Sequence, residues 1–233
     1  MKKLLLPLLP LLVTLATTFV TALSVHVTAN AQEAKKELKG DIQAGERKIA
    51  MCIGCHGIAG YQASFPEIYK VPKISGQGAK YIVSALNAYS KGERKHPTMR
   101  AVAQGMSEQD MLDVAAYYEV HGAVAGAPVL PKAPEGSAKV AGLLAKGACV
   151  SCHGANFAAP IDPTYPKIAG QHADYLFVAL KSYKTENNAK VGRANAVMGG
   201  IAKQFTNTEM KELAGYLSDL PGDLKVVRQS SFR

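Results

Sequence analysis

An all-α chain built from two tandem domains is the fold this sequence predicts. Three observations predict it: the chain repeats itself at a near-constant offset, its apolar residues recur at helical spacing without sustained strand alternation, and one pentapeptide, Cys-x-x-Cys-His, occurs once in each half. With 233 residues, 48% hydrophobic and 19% charged, the composition suits a globular chain rather than a disordered one. Four cysteines over that length are too few for a disulfide-built scaffold.

The elements follow in chain order. Lys2 and Lys3 form a positive n-region, Leu4 to Leu12 is an apolar run broken by Pro7 and Pro10, and Ala29-Asn30-Ala31 offers small residues to a signal peptidase. Residues 1–31 therefore read as a signal peptide, with Gln32 as the mature N-terminus and the periplasm as the destination. The alternative is a retained membrane anchor, but threonines, His26 and two prolines dilute the uncharged stretch below a strong spanning helix. A first domain is expected over 32–121, a linker over 122–136 and a second domain over 137–233.

Within the first domain, Asp41 can cap a helix from Ile42 to about Ile53. Gln77 to Ser90 presents Tyr81, Ile82, Ala85, Leu86 and Tyr89 at helical spacing, and Ser107-Glu108-Gln109-Asp110 resembles a capping box opening a final helix. The second domain offers Ser137 to about Val150, Gln171 to Lys184, and Thr206 to Leu220, where Thr206 and Glu209 stand at capping-box spacing. Gly122 to Pro134, rich in Ala, Gly, Val and Pro, reads as an extended connection.

The halves match residue by residue. Pro72-Lys73-Ile74-Ser75-Gly76-Gln77 echoes Pro166-Lys167-Ile168-Ala169-Gly170-Gln171, and Tyr81, Leu86 and Tyr89 match Tyr175, Leu180 and Tyr183 at the same offset of 94. Met99, Met111 and Tyr117 match Met198, Met210 and Tyr216 at an offset of 99, which places five inserted residues around Thr185 to Val191. This is an internal duplication.

All four cysteines fall in Cys52-Ile53-Gly54-Cys55-His56 and Cys149-Val150-Ser151-Cys152-His153. Disulfides, a redox dithiol, zinc ligands and c-type haem attachment compete for such pairs in an exported protein. A redox dithiol does not need the His, and a zinc site needs further thiols or histidines at suitable spacing. Two thiols three residues apart on one helical turn can both add to the vinyl groups of one haem, and the adjacent His then projects at the iron. The reading is two covalently bound haem c groups, anchored by Cys52 and Cys55 and by Cys149 and Cys152, with His56 and His153 on the irons. A buried haem would also supply the apolar centre that domains of about 80 to 95 residues are short of.

The chain resembles the two-haem cytochromes c4, built from two class I cytochrome c domains, from about Asp41 to Leu220. The resemblance rests on the two haem motifs, the Pro-Lys-Ile-x-Gly-Gln segments, and a Met eight residues before each terminal-helix cap. It implies two tandem class I cytochrome c domains, each wrapped around one covalently bound haem c. It also implies that the carbonyls of Pro72 and Pro166 hold the imidazoles of His56 and His153, and that the helices bearing Tyr117 and Tyr216 cross those bearing Gly45 and Gly142 closely. The chain has no Trp, which many single-haem relatives use beside a propionate, so propionate partners stay unassigned.

A thioether as sixth ligand raises the reduction potential and closes the iron to other ligands. Met99 and Met198 are the candidates, because both stand in a loop ahead of a terminal helix and both recur in the duplication. Met106 competes for the first iron, but its counterpart is Phe205; His96 also competes, without a counterpart. His121, beside the linker, is expected to be solvated.

The function expected is single-electron transfer, not catalysis on a substrate. The resemblance suggests a quinol-oxidising complex as donor and a terminal oxidase as acceptor, the protein working as a monomer that can associate peripherally with a membrane. A formal charge of +9, with Lys91, Arg94, Lys95 and Arg100 flanking the first Met and Lys35, Lys36, Lys39, Arg47 and Lys48 near the mature N-terminus, suggests a basic rim that steers acidic faces of redox proteins. Nucleic acid is excluded as a partner by export and by the absence of an aromatic-basic motif. A haem enzyme, such as a two-haem peroxidase or a thiosulfate dehydrogenase, would leave one iron open or unusually ligated. A fixed subunit of a dehydrogenase complex is the third reading.

Overall fold

The computed structural model describes residues 38–123 and 130–228. The expected leader, Lys35, Lys36 and the middle of the linker lie outside the described residues. No helix among those described is long and apolar enough to cross a membrane.

The first half opens with α1, Ile42–Lys48, whose cap is the Asp41 carboxylate accepting from the Ala44 N–H at 2.7 Å. The expected helix does not run straight on to Ile53: Ile49 interrupts it, and α2, Ala50–His56, carries the Cys-x-x-Cys-His segment as a separate short helix. A two-residue ladder follows, with β1, Gln62–Ala63, antiparallel to β2, Tyr69–Lys70. Then come α3, Ala79–Lys91, the short strand β3, Arg94–Lys95, and the helices α4, Pro97–Gln104, and α5, Glu108–Val120.

The second half repeats the order with α6, Ala138–Lys146, α7, Val150–His153, and α8, Ala173–Lys184. It closes with the strand β4, Gly192–Arg193, and the helices α9, Ala196–Lys203, and α10, Asn207–Asp219. The helix expected through Val150 stops at Lys146, because Gly147 caps it and Ala148 turns the chain with a φ of 47°. Both capping boxes form: Ser107 with Asp110 and Thr206 with Glu209 each exchange a side-chain and a backbone hydrogen bond.

Ile49, Ile53, Ile82, Leu86, Val114 and Tyr118 bury their side chains in the first core. Phe157, Leu176, Ala214 and Leu217 form one cluster in the second half, and Leu143, Phe205, Met210 and Leu213 form another. The two halves differ at the helix crossing expected for the repeated glycines. A Cβ on Gly45 would come within 2.7 Å of the Asp113 carbonyl carbon and 2.8 Å of the Tyr117 Cβ, so α1 and α5 touch backbone to backbone. A Cβ on Gly142 would meet nothing within 4 Å. Tyr216 instead turns to the linker's end, donating its hydroxyl to the Pro134 carbonyl at 2.7 Å and meeting Phe157 edge-on.

The repeated Pro-Lys-Ile-x-Gly-Gln segments lock the halves together. The Gln77 amide donates to the Lys167 carbonyl at 3.0 Å and accepts from the Lys167 N–H at 2.9 Å. Reciprocally, Gln171 donates to the Lys73 carbonyl and accepts from the Lys73 N–H, both at 2.9 Å. Each glutamine follows a glycine with positive φ, 84° at Gly76 and 72° at Gly170, which aims the side chain across the boundary. Both glutamines are buried, so these bonds have no water to compete with them. Strand β3 adds a second seam by pairing antiparallel with β4, Arg94 opposite Arg193.

Candidate functional site

Helix α2 sets Cys52, Cys55 and His56 on one turn, and α7 does the same for Cys152 and His153, with Cys149 at its N-terminal edge. All four cysteines are unbonded and half-buried. Burial, reinforced by Cys55, pushes the Cys52 thiol up to about 11, and burial likewise raises Cys149. A redox dithiol requires the opposite shift, toward thiolate. The zinc alternative finds no support either: among the described residues no His, Cys, Asp or Glu cluster of metal-binding size assembles.

His56 Nδ1–H donates to the Pro72 carbonyl at 2.8 Å, and His153 Nδ1–H donates to the Pro166 carbonyl at 3.1 Å. A carbonyl can only accept, so each ring carries its proton on Nδ1 and keeps the Nε2 lone pair free for a metal. Burial lowers both imidazoles from their ordinary value, which keeps them neutral and able to ligate. The Pro72 carbonyl is positioned by the β2 segment, which Val71 ties to Tyr61 through a 2.9 Å backbone bond.

Met99 and Met198 occupy the first turns of α4 and α9, not loops as the sequence suggested. His96 Nδ1 accepts from the Met99 N–H at 3.3 Å, and the Asn195 amide oxygen accepts from the Met198 N–H at 2.9 Å. His96 therefore does have a counterpart, Asn195, and both serve as N-caps. Pro97 at the first helical position completes the start signal in the first half. Met106 and Phe205 hold matching positions in the turn after these helices, while Met111 and Met210 are buried in the cores.

These groups line one continuous cavity of about 1290 Å³ that runs through both halves. It takes in both Cys-x-x-Cys-His segments, Met99, Met198 and Met106, with Ile82, Leu86, Val114, Leu176, Leu180 and Leu217 among its apolar walls. That exceeds the roughly 300–1,000 Å³ of a single small-ligand pocket. A flat apolar macrocycle with carboxylate arms fits what the walls leave unmatched. The Arg94 Nε is shielded from solvent without an acceptor. Thiols for the covalent links, an imidazole with a free lone pair and a thioether are present in each half and together fit a c-type haem, and the Arg94 Nε adds one donor for a carboxylate at the seam.

Several surface expectations change. Arg94 belongs to the seam between the halves, not to a solvated rim, and Lys95 donates to the Asn188 carbonyl at 2.6 Å. Lys48 is matched by Asp110 at 2.7 Å and Asp113 at 2.6 Å, so it adds little to a basic patch. His121 is not a solvated side chain: it bonds Ser75 Oγ at 2.9 Å and stacks on Tyr117 with ring centres 4.6 Å apart. The sequence reading matched Gln77 with Gln171 without giving either a role, and it did not pair Arg94 with Arg193. The second pair stands at the same offset of 99 as the methionines, which was the signal available.

Comparison with known proteins agrees with this geometry. The family model described as Cytochrome c matches residues 42–119 and 137–221. Cytochrome c4 of Stutzerimonas stutzeri is 32% identical over 194 residues, covering 78% of this chain and 90% of that protein. A thiosulfate dehydrogenase electron acceptor from strain A1501 of the same species is 29% identical over 210 residues, covering 86% of this chain and 92% of that one. The solved cytochrome c4 of Acidithiobacillus ferrooxidans superposes with a TM-score of 0.55 at 26% identity, over 74% of this chain and 99% of that chain. With two matched cytochrome c segments and a relative of that identity covered almost end to end, the chain belongs to the cytochrome c family and, within it, to the two-haem cytochromes c4.

Proposed function

We propose that this chain carries single electrons between redox proteins of the periplasm, with one haem c in each of two domains, 32–121 and 137–233, joined by a linker over 122–136. When bound, each haem supplies a one-electron ferric/ferrous couple. The chain's own residues do the rest. Cys52 and Cys55, and Cys149 and Cys152, anchor the macrocycles as thioethers. His56 and His153 would ligate the iron through Nε2, their rings oriented by the carbonyls of Pro72 and Pro166. Met99 and Met198 would each offer a thioether to the iron, a ligand that favours the ferrous state and keeps other ligands off.

The observation that carries this reading is the repeated juxtaposition, in one cavity, of a Cys-x-x-Cys-His segment with a methionine on a capped helical turn. The donor is a quinol-oxidising complex and the acceptor a terminal oxidase. The relative described as a thiosulfate dehydrogenase electron acceptor supports a second reading of the donor, a sulfur-compound dehydrogenase. Either way the chain is the carrier and not the enzyme.

The test uses protein matured in a host that assembles c-type cytochromes. Intact mass should equal the chain from Gln32 plus two haems, and the oxidised protein should show the near-infrared sulfur-to-iron band. Met99→Ala and Met198→Ala should each remove about half of that band, and Met106→Leu should leave it. One haem or none, or a band that depends on Met106, would overturn the assignment.

A further inference from the structure

Helix α10 ends at Asp219, and the chain beyond it runs back over the first half. Its first residues still lie on their own half. A Cβ on Gly170 would come within 3.2 Å of the Leu220 carbonyl oxygen, and one on Gly222 would come within 2.5 Å of the Ala169 carbonyl oxygen. From Asp223 onward the partners change. A Cβ on Gly76 would come within 3.0 Å of the Asp223 carbonyl carbon, and one on Gly122 within 2.5 Å of the Val227 Cγ2. Lys225 pairs antiparallel with Ser75, donating its N–H to the Ser75 carbonyl at 3.0 Å, and its ammonium donates to the Gly122 carbonyl at 3.1 Å. That ammonium sits just past the end of α5, where the helix dipole favours a cation. Leu224, between these contacts, is only 4% exposed.

The segment gripped in this way belongs to the first site. Ser75 is 2% exposed, its hydroxyl bonded to His121 Nδ1 at 2.9 Å and its carbonyl to Lys225. Gly76 donates its N–H to the Tyr118 carbonyl at 2.8 Å. Pro72, three residues before Ser75, holds the His56 ring. In the second half the matching Gly170 N–H bonds the Leu217 carbonyl at 2.8 Å, and that turn is covered from its own half by Leu220 and Gly222. The first half does not cover its turn in this way. Gly122, with a φ of 77°, ends α5 and sends the chain into the linker, whose Ala133 N–H reaches the Ala155 carbonyl of the second half at 2.9 Å.

We propose that residues 223–228 are a strap for the first half: they supply the cover its own chain takes away, hold the Pro72–Gln77 segment and with it the His56 ring, and on removal loosen the first site while sparing the second. The effect on a bound haem rests on the two-haem reading above; the effect on the segment does not.

The experiment is amide hydrogen exchange followed by mass spectrometry on the two-haem protein, comparing peptides that cover Gly76 with peptides that cover Gly170. The variants are a chain ending at Gly222 and Lys225→Pro, which removes the N–H given to Ser75. Both should speed exchange at Gly76 about tenfold or more, the worth of one backbone hydrogen bond and the burial of Leu224, and change Gly170 by less than about twofold. Lys225→Ala keeps the N–H and should act only about two- to threefold at Gly76. If the shortened chain does not take up two haems, Lys225→Pro decides. Unchanged exchange at Gly76 would overturn the strap, and equal acceleration at Gly170 would overturn its assignment to the first half. The near-infrared band gives a second readout. Carried by Met99 alone, in Met198→Ala, it should melt at a lower temperature when the chain ends at Gly222; carried by Met198 alone, in Met99→Ala, it should not. Absence of the bands from the full-length chain would count against the ligation assigned above, and the exchange comparison would still judge the strap.

Discussion

Gly45 and Gly142 occupy the same place in the duplication, yet replacing each by alanine should have opposite effects. On Gly45 the new methyl would lie 2.7 Å from the Asp113 carbonyl carbon and closer still to its oxygen, where ordinary contact begins near 3.4 Å. Backbone cannot rotate away as a side chain can, so α1 and α5 must separate by about 1 Å, a small-to-large change costing about 1–3 kcal/mol. The separation also strains the bonds that cross there: the Asp41 N–H to Asp113 at 2.8 Å and the Lys48 ammonium to Asp113 at 2.6 Å. Weakening one charge-assisted bond adds about 1–2 kcal/mol, while alanine's helix propensity returns about 1 kcal/mol. The net is a loss of about 1–4 kcal/mol. Gly142 lies exposed in mid-helix with open space where the methyl would go, so only propensity acts and alanine should stabilise by about 0.5–1 kcal/mol. At about 2–4 °C per kcal/mol for a chain of this size, Gly45→Ala should melt about 2–16 °C lower and Gly142→Ala about 1–4 °C higher. Thermal unfolding followed by far-ultraviolet circular dichroism, on samples of equal haem content, reads both. Equal shifts of the same sign would refute the claim that the two crossings differ.

Three further outcomes follow from the same contacts. Asp113→Asn should cost about 2 kcal/mol at neutral pH, the worth of a charge-assisted bond; although burial works to raise the Asp113 carboxyl, Lys48, Asp41 and Gln109 hold it below the ordinary range. That stabilisation is present above the unfolded carboxylate value near ~4 and fades as pH falls below it, so urea midpoints of parent and variant should converge in acid. Gln77→Ala and Gln171→Ala should each cost about 1–3 kcal/mol, because each leaves a half-buried N–H and C=O of the opposite half without its partner, and near-equal losses are the outcome to check by urea denaturation. Tyr118→Leu should move one haem midpoint and leave the other, since Tyr118 lines the first half of the cavity and its counterpart is Leu217; potentiometry showing both midpoints displaced would contradict this.

What the sequence made legible was local. A pentapeptide with its two thiols and imidazole is one turn of chain, so its chemistry can be read without knowing the fold, and capping boxes span only four residues. The helices carrying Met99 and Met198 were missed although His96-Pro97 and Asn195 are start signals. The prolyl residue and the short run after it read as loop because apolar periodicity needs a longer window. The seam was illegible for a different reason. Its partners stand 81 residues or more apart, as with Arg94 and Tyr175 or Gln171 and Lys73, and no local pattern records such a pairing. Charge statistics also misplace Arg94, because an isolated arginine in a polar stretch looks solvated until a second domain closes over it.

The duplication explains why some matched residues act alike and others do not. A residue keeps its counterpart's role when its partners are duplicated with it. Gln77 and Gln171 satisfy this, since each finds the other half's Pro-Lys-Ile segment, and the seam is reciprocal at that point. Gly142 does not, because close crossing at Gly45 depends on the Asp113 network, and position 212 holds Glu, which pairs with Lys139 at 2.6 Å instead. The same rule orders the haem surroundings. His56 and His153 keep their proline carbonyls and Met99 and Met198 keep their caps, so the groups assigned to the iron are equal. Met106 against Phe205 and Tyr118 against Leu217 break the equality one layer out. On the proposed ligation, a difference between the two potentials would originate in that outer layer, where Met106 corresponds to Phe205 and Tyr118 to Leu217.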